Sequence, residues 1–263
     1  MKIEERQKNI LDLLRVQGAV EVEDLAERFS LTTQTIRQDL RELDERGLVK
    51  RTHGGARRVA SVSNRDYSER RAIQGPAKRA IGEVAASLIP NNCSLTLNIG
   101  TTTEQVARAL SDHQDLMIIS NNINIITQLL GSKSKDLILM GGRVRQSDGA
   151  VVGEDAVEFI SRYKVDYAVI GASALDNDGA ILDFDAREVS VARAILKNAR
   201  TRILVADTTK FEVNAPVRIC NVSDVDYFIT DVRPPPSFVG AADRGETKII
   251  VAKPGGLNVV RSA

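Results

Sequence analysis

The chain has 263 residues, beyond the roughly 100 to 200 of one ordinary domain, so a small domain beside a larger one is expected. Its 43% hydrophobic content supports packed cores and excludes a disordered or fibrous chain; the absence of any long apolar run and of a leader-like core in MKIEERQKNI predicts a cytoplasmic protein without a membrane segment. The net charge of +1 hides an asymmetry, since residues 46–79 hold 10 basic against 2 acidic side chains, which fits a local polyanion contact and a solvated connector about equally.

In chain order, Ile3, Ile10 and Leu14 share one side of a first helix, which Gly18 is expected to end. Val22, Leu25, Ala26 and Phe29 stand at i, i+3, i+4 and i+7, the stripe of a second, short helix. After a Ser30-Leu31 turn, Thr32 is placed to cap a third helix that turns Ile36, Leu40 and Leu43 inward. Its outward face carries Thr33, Gln34, Arg37, Gln38 and Arg41, with Thr32 and Thr35 at the helix start. Arg can bond guanine O6 and N7 together, Gln can pair with adenine, and Thr offers a hydroxyl and a methyl. A short helix, a tight turn and a polar-faced second helix is the arrangement of a groove reader, so these residues are the expected DNA contacts. The following LVKRTHGGARRV predicts two short strands around a Gly54-Gly55 turn. That wing would offer Lys50, Arg51, His53, Arg57 and Arg58 to phosphates.

Residues 60–77 are polar and contain Gly75-Pro76, and they read as a connector between a DNA-binding domain at 1–59 and a larger domain at 78–263. In the larger domain Ile81, Val84, Ala85 and Leu88 form a helical stripe. Beyond it β-rich runs alternate with helical ones: SLTLNIG, DLMIISNN, DLILMGG, YAVIGAS, TRILVAD, DYFITD and TKIIVAK against TEQVARAL, INIITQLL, EDAVEFISRY and AREVSVARAILKNA. The pattern predicts an α/β domain with a mainly parallel sheet and a ligand outside its carboxyl ends. The loops there are polar: Gly100-Thr101-Thr102-Thr103, Asn121-Asn122, Gly141-Gly142-Arg143 and Asp207-Thr208-Thr209-Lys210. Glycine and free amides at a helix start suit a phosphate, and Lys210 is the expected facing cation. Cys93 and Cys220 stand alone and predict free thiols, with no metal site or cofactor. Asp176, Asp178, Asp183 and Asp185 lack calcium-loop spacing, and neither His53 nor His113 has a nucleophile beside it in sequence.

The run from RQKNILDLL to RTHGGA, with its TIR, DL and G-L-x-x-R-x-HGGA pattern, resembles the DNA-binding domain of the DeoR family. Gln38 stands where that family commonly has a second basic residue. Residues 78–236, through IGTTTE, SNN, MGGRVR, SDGAVVGEDAVEFI, IGAS, DNDGAILDFD and DTTKF, are similar to the sensor domain of the same family, itself like ribose 5-phosphate isomerase in fold. The resemblance implies a winged helix-turn-helix repressor of a carbohydrate or polyol operon, acting on double-stranded operator DNA as a homo-oligomer, dimer or tetramer. It implies release by a phosphorylated sugar or polyol, foremost glycerol 3-phosphate, although Ala186 stands where the nearest branch has an aromatic residue. The pocket it implies is lined by Gly100, Thr101, Thr102, Thr103, Asn121, Asn122, Gly141, Gly142, Gly171, Glu188 and Lys210. The alternative is a sugar-phosphate isomerase-like enzyme, which needs a general base and an electrophile. In the isomerases, acidic residues follow the strand corresponding to YAVIGAS, a Lys sits in a glycine-rich loop and a Glu begins the next helix. Here Glu188 is present, but Ser173-Ala174-Leu175 follow the strand and DGAILDFD has no Lys, so a binder without chemistry is expected.

Overall fold

The computed structural model describes residues 3–17, 19–45, 48–58, 67–132, 134–253 and 256–259, which fall into two compact units, 1–61 and 62–263.

The first unit contains α1 (Ile3–Gln17), β1 (Ala19–Glu21), α2 (Val22–Phe29), α3 (Thr33–Glu45), β2 (Val49–Arg51) and β3 (Gly55–Arg58). Gly18, the expected stop of α1, lies outside the described residues. The turn after α2 works because Ser30 takes a left-handed conformation (φ 53°), which lets the Leu31 N–H reach back 2.9 Å to the Ala26 carbonyl. Thr32 is the expected cap: the Thr35 N–H donates to its hydroxyl at 3.2 Å. Ile10, Leu14, Leu25, Ile36, Leu40 and Leu43 are all buried in one core. The wing is an antiparallel β2–β3 hairpin, with Gly55 already inside β3 and Arg51 opposite Ala56. A third strand, β1, joins it in the order β1-β3-β2. Three residues carry no readable period, so β1 was not foreseen.

The second unit contains α4 (Tyr67–Ala72), α5 (Gly75–Ser87), β4 (Ser94–Leu97), α6 (Thr101–Ala109), β5 (Leu116–Ser120), α7 (Ile123–Leu129), β6 (Lys135–Leu139), β7 (Arg143–Arg145), β8 (Ala150–Val152), α8 (Glu154–Ser161), β9 (Val165–Ile170), β10 (Ala174–Leu175), β11 (Ala180–Asp183), α9 (Ala186–Lys197), β12 (Ala199–Val205), β13 (Val217–Asn221), β14 (Tyr227–Thr230), α10 (Pro236–Asp243), β15 (Lys248–Lys253) and β16 (Gly256–Val259). The connector expected at 60–77 therefore needs correction. Residues 60–66 lie outside the described residues, but Tyr67–Ala72 are helical and α5 already begins at Gly75. Gly75-Pro76 marks a helix start, with Pro in the first turn where its missing N–H costs nothing.

All seven expected strands lie in one sheet of order β16-β15-β14-β12-β9-β4-β5-β6, parallel throughout except for the added edge strand β16. One face packs on α5, α6 and α7 through Ile81, Val106 and Ile125, the other on α8, α9 and α10 through Ile160, Ile195 and Phe238. The β7–β8 hairpin and a small β10-β11-β13 sheet occupy stretches that read as loops. From β4 the chain continues outward to β5 and β6, whereas from β9 it runs the other way to β12, β14 and β15. The order reverses between β4 and β9, and in doubly wound sheets that switch point is where a ligand lies outside the carboxyl ends of the strands.

Candidate functional site

The surface of α3 divides sharply. Ile36, Asp39, Leu40 and Leu43 are buried, while Gln34, Arg37, Gln38 and Arg41, one stripe at helical spacing, are exposed. Thr33 and Thr35 are half-buried, and the exposed Thr32 commits its hydroxyl to the helix cap. Gln38 donates to Glu42 at 3.1 Å and sits 3.5 Å from Arg41 Nη1, so its amide is held in one orientation. Arg37 lies 3.8 Å from Glu23, both exposed, a loose pair that a nucleobase can replace at little cost. In the wing Lys50, Arg51 and His53 are exposed; the side chains of Arg57 and Arg58 lie outside the described residues.

Beneath this surface is a feature that the sequence reading missed. Asp39 is 2% exposed and forms a two-pronged ion pair with the buried Arg6 of α1, with Nη2 to Oδ1 at 2.8 Å. The hydrogen bond to Asp39 raises the Arg6 pKa. Gln7 adds a 2.8 Å bond to Glu42, so the first turns of α1 hold the back of α3. The signal was present: Asp39 stands on the inward stripe with Ile36, Leu40 and Leu43.

Removing the Arg37 guanidinium should separate base reading from phosphate contact. Arg37→Ala is expected to weaken the cognate operator by roughly 10- to 100-fold and to reduce discrimination. Arg51→Ala should weaken operator and random DNA alike and flatten the salt dependence by about one unit of slope. Anisotropy titrations across a salt series measure both, and parallel losses for the two variants would remove α3 from the base-reading role.

At the carboxyl end of β4, beside this switch point, lies Gly100, whose φ of +153° is a backbone state that L side chains rarely adopt. It begins α6 without a side-chain cap, and the first intrahelical bond is Glu104 N–H to Gly100 O at 3.0 Å. The amides of Thr101, Thr102 and Thr103 therefore lack intrahelical acceptors at the positive end of the helix dipole. Thr103 fixes the loop, its hydroxyl donating to the carbonyls of Asn98 and Gly100 at 2.7 Å. Lys78 of α5 is brought to this point by a close helix crossing: a β-carbon at Gly82 would meet the Gln105 carbonyl group of α6 at 2.7 Å. Lys78 is 3% exposed and donates to the Ile73 carbonyl at 2.7 Å and to the Arg70 carbonyl. Burial lowers its pKa to about 8; Asp207 opposes the shift, and the nearby Lys210 and Arg70 add to it. Around the Lys78 ammonium thus lie two further cations, Lys210 and Arg70, and two carboxylates, Asp207 and Glu104. Asp207 caps the turn Thr208–Glu212 through Oδ1, while its buried Oδ2, like the buried Oδ1 of Asn98, has no hydrogen-bond partner among the described residues.

The other expected pocket residues are distributed unevenly. Gly171 joins the site, since a β-carbon there would sit 3.9 Å from the carbonyl oxygens of Ile99 and Val205. Asn121 accepts from the Ile99 N–H at 2.9 Å and donates to the Val151 carbonyl at 3.2 Å, while Asn122 caps α7 and donates to Glu104 at 3.3 Å. Both amides are committed to the protein. Gly141 and Gly142 are exposed at the start of the β7–β8 hairpin. Glu188, at the start of α9, bonds Arg145 at 2.6 Å; Arg145 also bonds Asp148 at 2.7 Å and Asp185 at 3.1 Å. Burial and Asp183 raise the Glu188 carboxyl to about 7, against the pull of Arg145. Sequence reasoning overlooked Lys78 although, like Asp39, it stands on an apolar stripe, here with Ile81, Gly82 and Ala85. Arg145 stands in the MGGRVR motif but was not singled out, because its carboxylate partners at Asp185 and Glu188 lie 40 and 43 positions away. Cys93 and Cys220 are half-buried free thiols, and burial raises their pKa values to about 11 and about 12. Among the described residues no helix is long and apolar enough to cross a membrane.

Comparison with known proteins places these two surfaces in context. Residues 6–62 match the DeoR-like helix-turn-helix domain and residues 73–232 the DeoR C terminal sensor domain. The glycerol-3-phosphate regulon repressor of Escherichia coli K12 is 42% identical over 91% of this chain and 95% of its own length. The protein of that name from Haemophilus influenzae is 40% identical over 95% of this chain and 98% of its own. Among solved structures, ribose 5-phosphate isomerase A from Methanocaldococcus jannaschii aligns with a TM-score of 0.37 at 14% identity, covering 51% of this chain and 52% of that one.

Proposed function

The chain belongs to the DeoR family of DNA-binding transcriptional repressors, and on that footing we propose that it controls a carbohydrate or polyol catabolic operon and leaves its operator when a phosphorylated sugar or polyol, foremost glycerol 3-phosphate, enters the crevice between β4 and β9. The isomerase alternative is set aside on the similarity to repressors.

The observation that carries this reading is Lys78, a lysine 3% exposed beside the uncapped start of α6. Burying an ammonium is costly unless an anion accompanies it, and a phosphate dianion supplies the opposite charge and the acceptors that the Thr101–Thr103 amides lack. Thr101, Thr102 and Lys210 flank the phosphate position in this reading. The unpartnered oxygens of Asp207 and Asn98 require donors, and the hydroxyls of a polyol are donors. Phosphate alone would satisfy only half of the site. Gly171 leaves room at the strand ends, while Asn121 and Asn122 shape the crevice from behind.

We further assign the repressor to the cytoplasm, as a homo-oligomer, dimer or tetramer, whose α3 helices read repeated or inverted half-sites. One winged module covers too little DNA for strong selectivity, and linked modules gain by effective concentration. To change from mostly bound to mostly free, the ligand must favour the DNA-free form by about 10⁴-fold, shared among subunits. Titrating a labelled operator complex with glycerol 3-phosphate, ribose 5-phosphate, fructose 6-phosphate and glycerol tests the proposal. Release by glycerol 3-phosphate and none by glycerol is the expected result; an operator complex indifferent to every phosphorylated compound would end it.

A further inference from the structure

Resting on that reading of the crevice, we propose that α4 is a strap over the phosphate position, held by the same groups the effector needs, so that effector binding releases α4 and with it the anchored end of the connection to the DNA-binding unit. Lys78 Nζ donates to the carbonyls of Arg70, in the last turn of α4, and of Ile73, just beyond it. The Thr101 hydroxyl, at the start of α6, donates to the same Arg70 carbonyl at 3.5 Å. A phosphate lying across the α6 amides would claim both donors. Carbonyl acceptors are weaker partners for an ammonium than a dianion is, so the exchange favours the ligand.

The rest of α4 is fastened by a few identifiable bonds. Tyr67 donates to Glu104 Oε1 at 2.6 Å and accepts from Asn124 Nδ2 at 3.0 Å. Arg70 reaches Asp148 at 3.4 Å and Arg71 lies 3.7 Å from Glu104. Six residues are too few to form a stable helix alone, so α4 persists only through these contacts. Losing the Lys78 and Thr101 anchors removes a substantial part of them. The compact DNA-binding unit ends at residue 61 and α5 begins at Gly75. Release would therefore add residues 67–74 to the length between the DNA-binding unit and α5, and the effective concentration of one DNA-binding unit near its neighbour falls as that length grows.

The test uses the full chain with glycerol 3-phosphate as the probe and inorganic phosphate and glycerol as parallel arms. Calorimetry reports binding; hydrogen exchange of residues 67–73 and trypsin cleavage after Arg70 and Arg71 report the strap. Saturating glycerol 3-phosphate is expected to accelerate both strap readouts about tenfold or more, with glycerol inert. Tyr67→Phe, which keeps the ring and removes the bonded hydroxyl, is expected to tighten glycerol 3-phosphate binding by roughly 5- to 10-fold, because the ligand no longer competes with a fully fastened strap. If the probe binds and dissociates the operator complex while exchange and cleavage at 67–73 stay unchanged and Tyr67→Phe binds like the parent, the strap is wrong and the effector reading stands. If neither glycerol 3-phosphate nor phosphate binds, both fall together.

Discussion

Asp39→Ala is expected to unfold the DNA-binding unit at growth temperature while leaving the sensor unit intact. The substitution removes no more than a carboxylate, but it strands the Arg6 guanidinium, which is 8% exposed, inside the core of a domain of about sixty residues. Breaking one partner out of a buried ion pair costs about 3–5 kcal/mol, a large share of the 5–15 kcal/mol that stabilises an ordinary domain. Two transitions in calorimetry, with only the lower one displaced or lost, are the expected result, together with loss of operator binding. The pairing is open to a direct check, since Arg6→Met combined with Asp39→Leu should recover much of the lost stability by replacing the pair with apolar groups of similar size. A lower transition that stays in place in Asp39→Ala would show that the pair contributes little.

Lys78→Met should yield a repressor that ignores its effector and, because the bonds from its ammonium to the Arg70 and Ile73 carbonyls go with it, holds its operator less tightly than the parent. Methionine nearly matches the aliphatic length and removes the buried charge, so folding should be preserved; the ammonium bond to phosphate is lost, which weakens effector binding by roughly 10- to 150-fold, from about 1.5–3 kcal/mol for a hydrogen bond to a charged group. The same residue sets a pH dependence. In the ligand-free protein the Lys78 pKa is lowered from 10.5 to about 8 by burial. The unfolded chain therefore binds the extra proton over that interval, and the contribution of Lys78 to stability rises as pH increases from about 8 to 10.5. Effector binding works in the opposite sense, because the complex needs the ammonium. Affinity for glycerol 3-phosphate should be flat between about pH 7 and 8, where the phosphate is a dianion and the ammonium is charged, and fall by up to about tenfold per unit above that, and that upper slope should vanish in Lys78→Met. A flat profile in the parent protein would mean that the ammonium is not part of the phosphate site.

The features legible in the sequence were those written in repeated, local patterns. The two helices of the DNA reader showed clean apolar stripes, and the seven parallel strands stood out because strands buried on both faces are continuous apolar runs, as in Ala168-Val169-Ile170 and Ile203-Leu204-Val205. Elements held by distant contacts were not legible. α4, β1 and the β7–β8 hairpin are too short to show a period, and each is stabilised by residues far along the chain. Charge on an apolar stripe was the most informative signal left unread: Asp39 and Lys78 each interrupt one, and the partner of Asp39 lies 33 positions away. Polar residues at strand ends were ambiguous for another reason. Asn121 serves as internal scaffolding and the Gly100–Thr103 loop opens on the crevice, although both occupy the same place in a β-to-α junction.

In the proposed effector reading, the helix crossing at Gly82 gives selection an indirect hold on induction. Position 82 lies one turn beyond Lys78 and faces Gln105, not the crevice, yet the missing side chain there sets how far the ammonium reaches toward α6. A methyl group at that position would move a whole helix by some tenths of an ångström and take the charge with it. The repertoire of inducible sequences is thus narrowed at a residue that no ligand touches, and drift at position 82 would be recorded in the regulatory phenotype before it registered as a loss of fold.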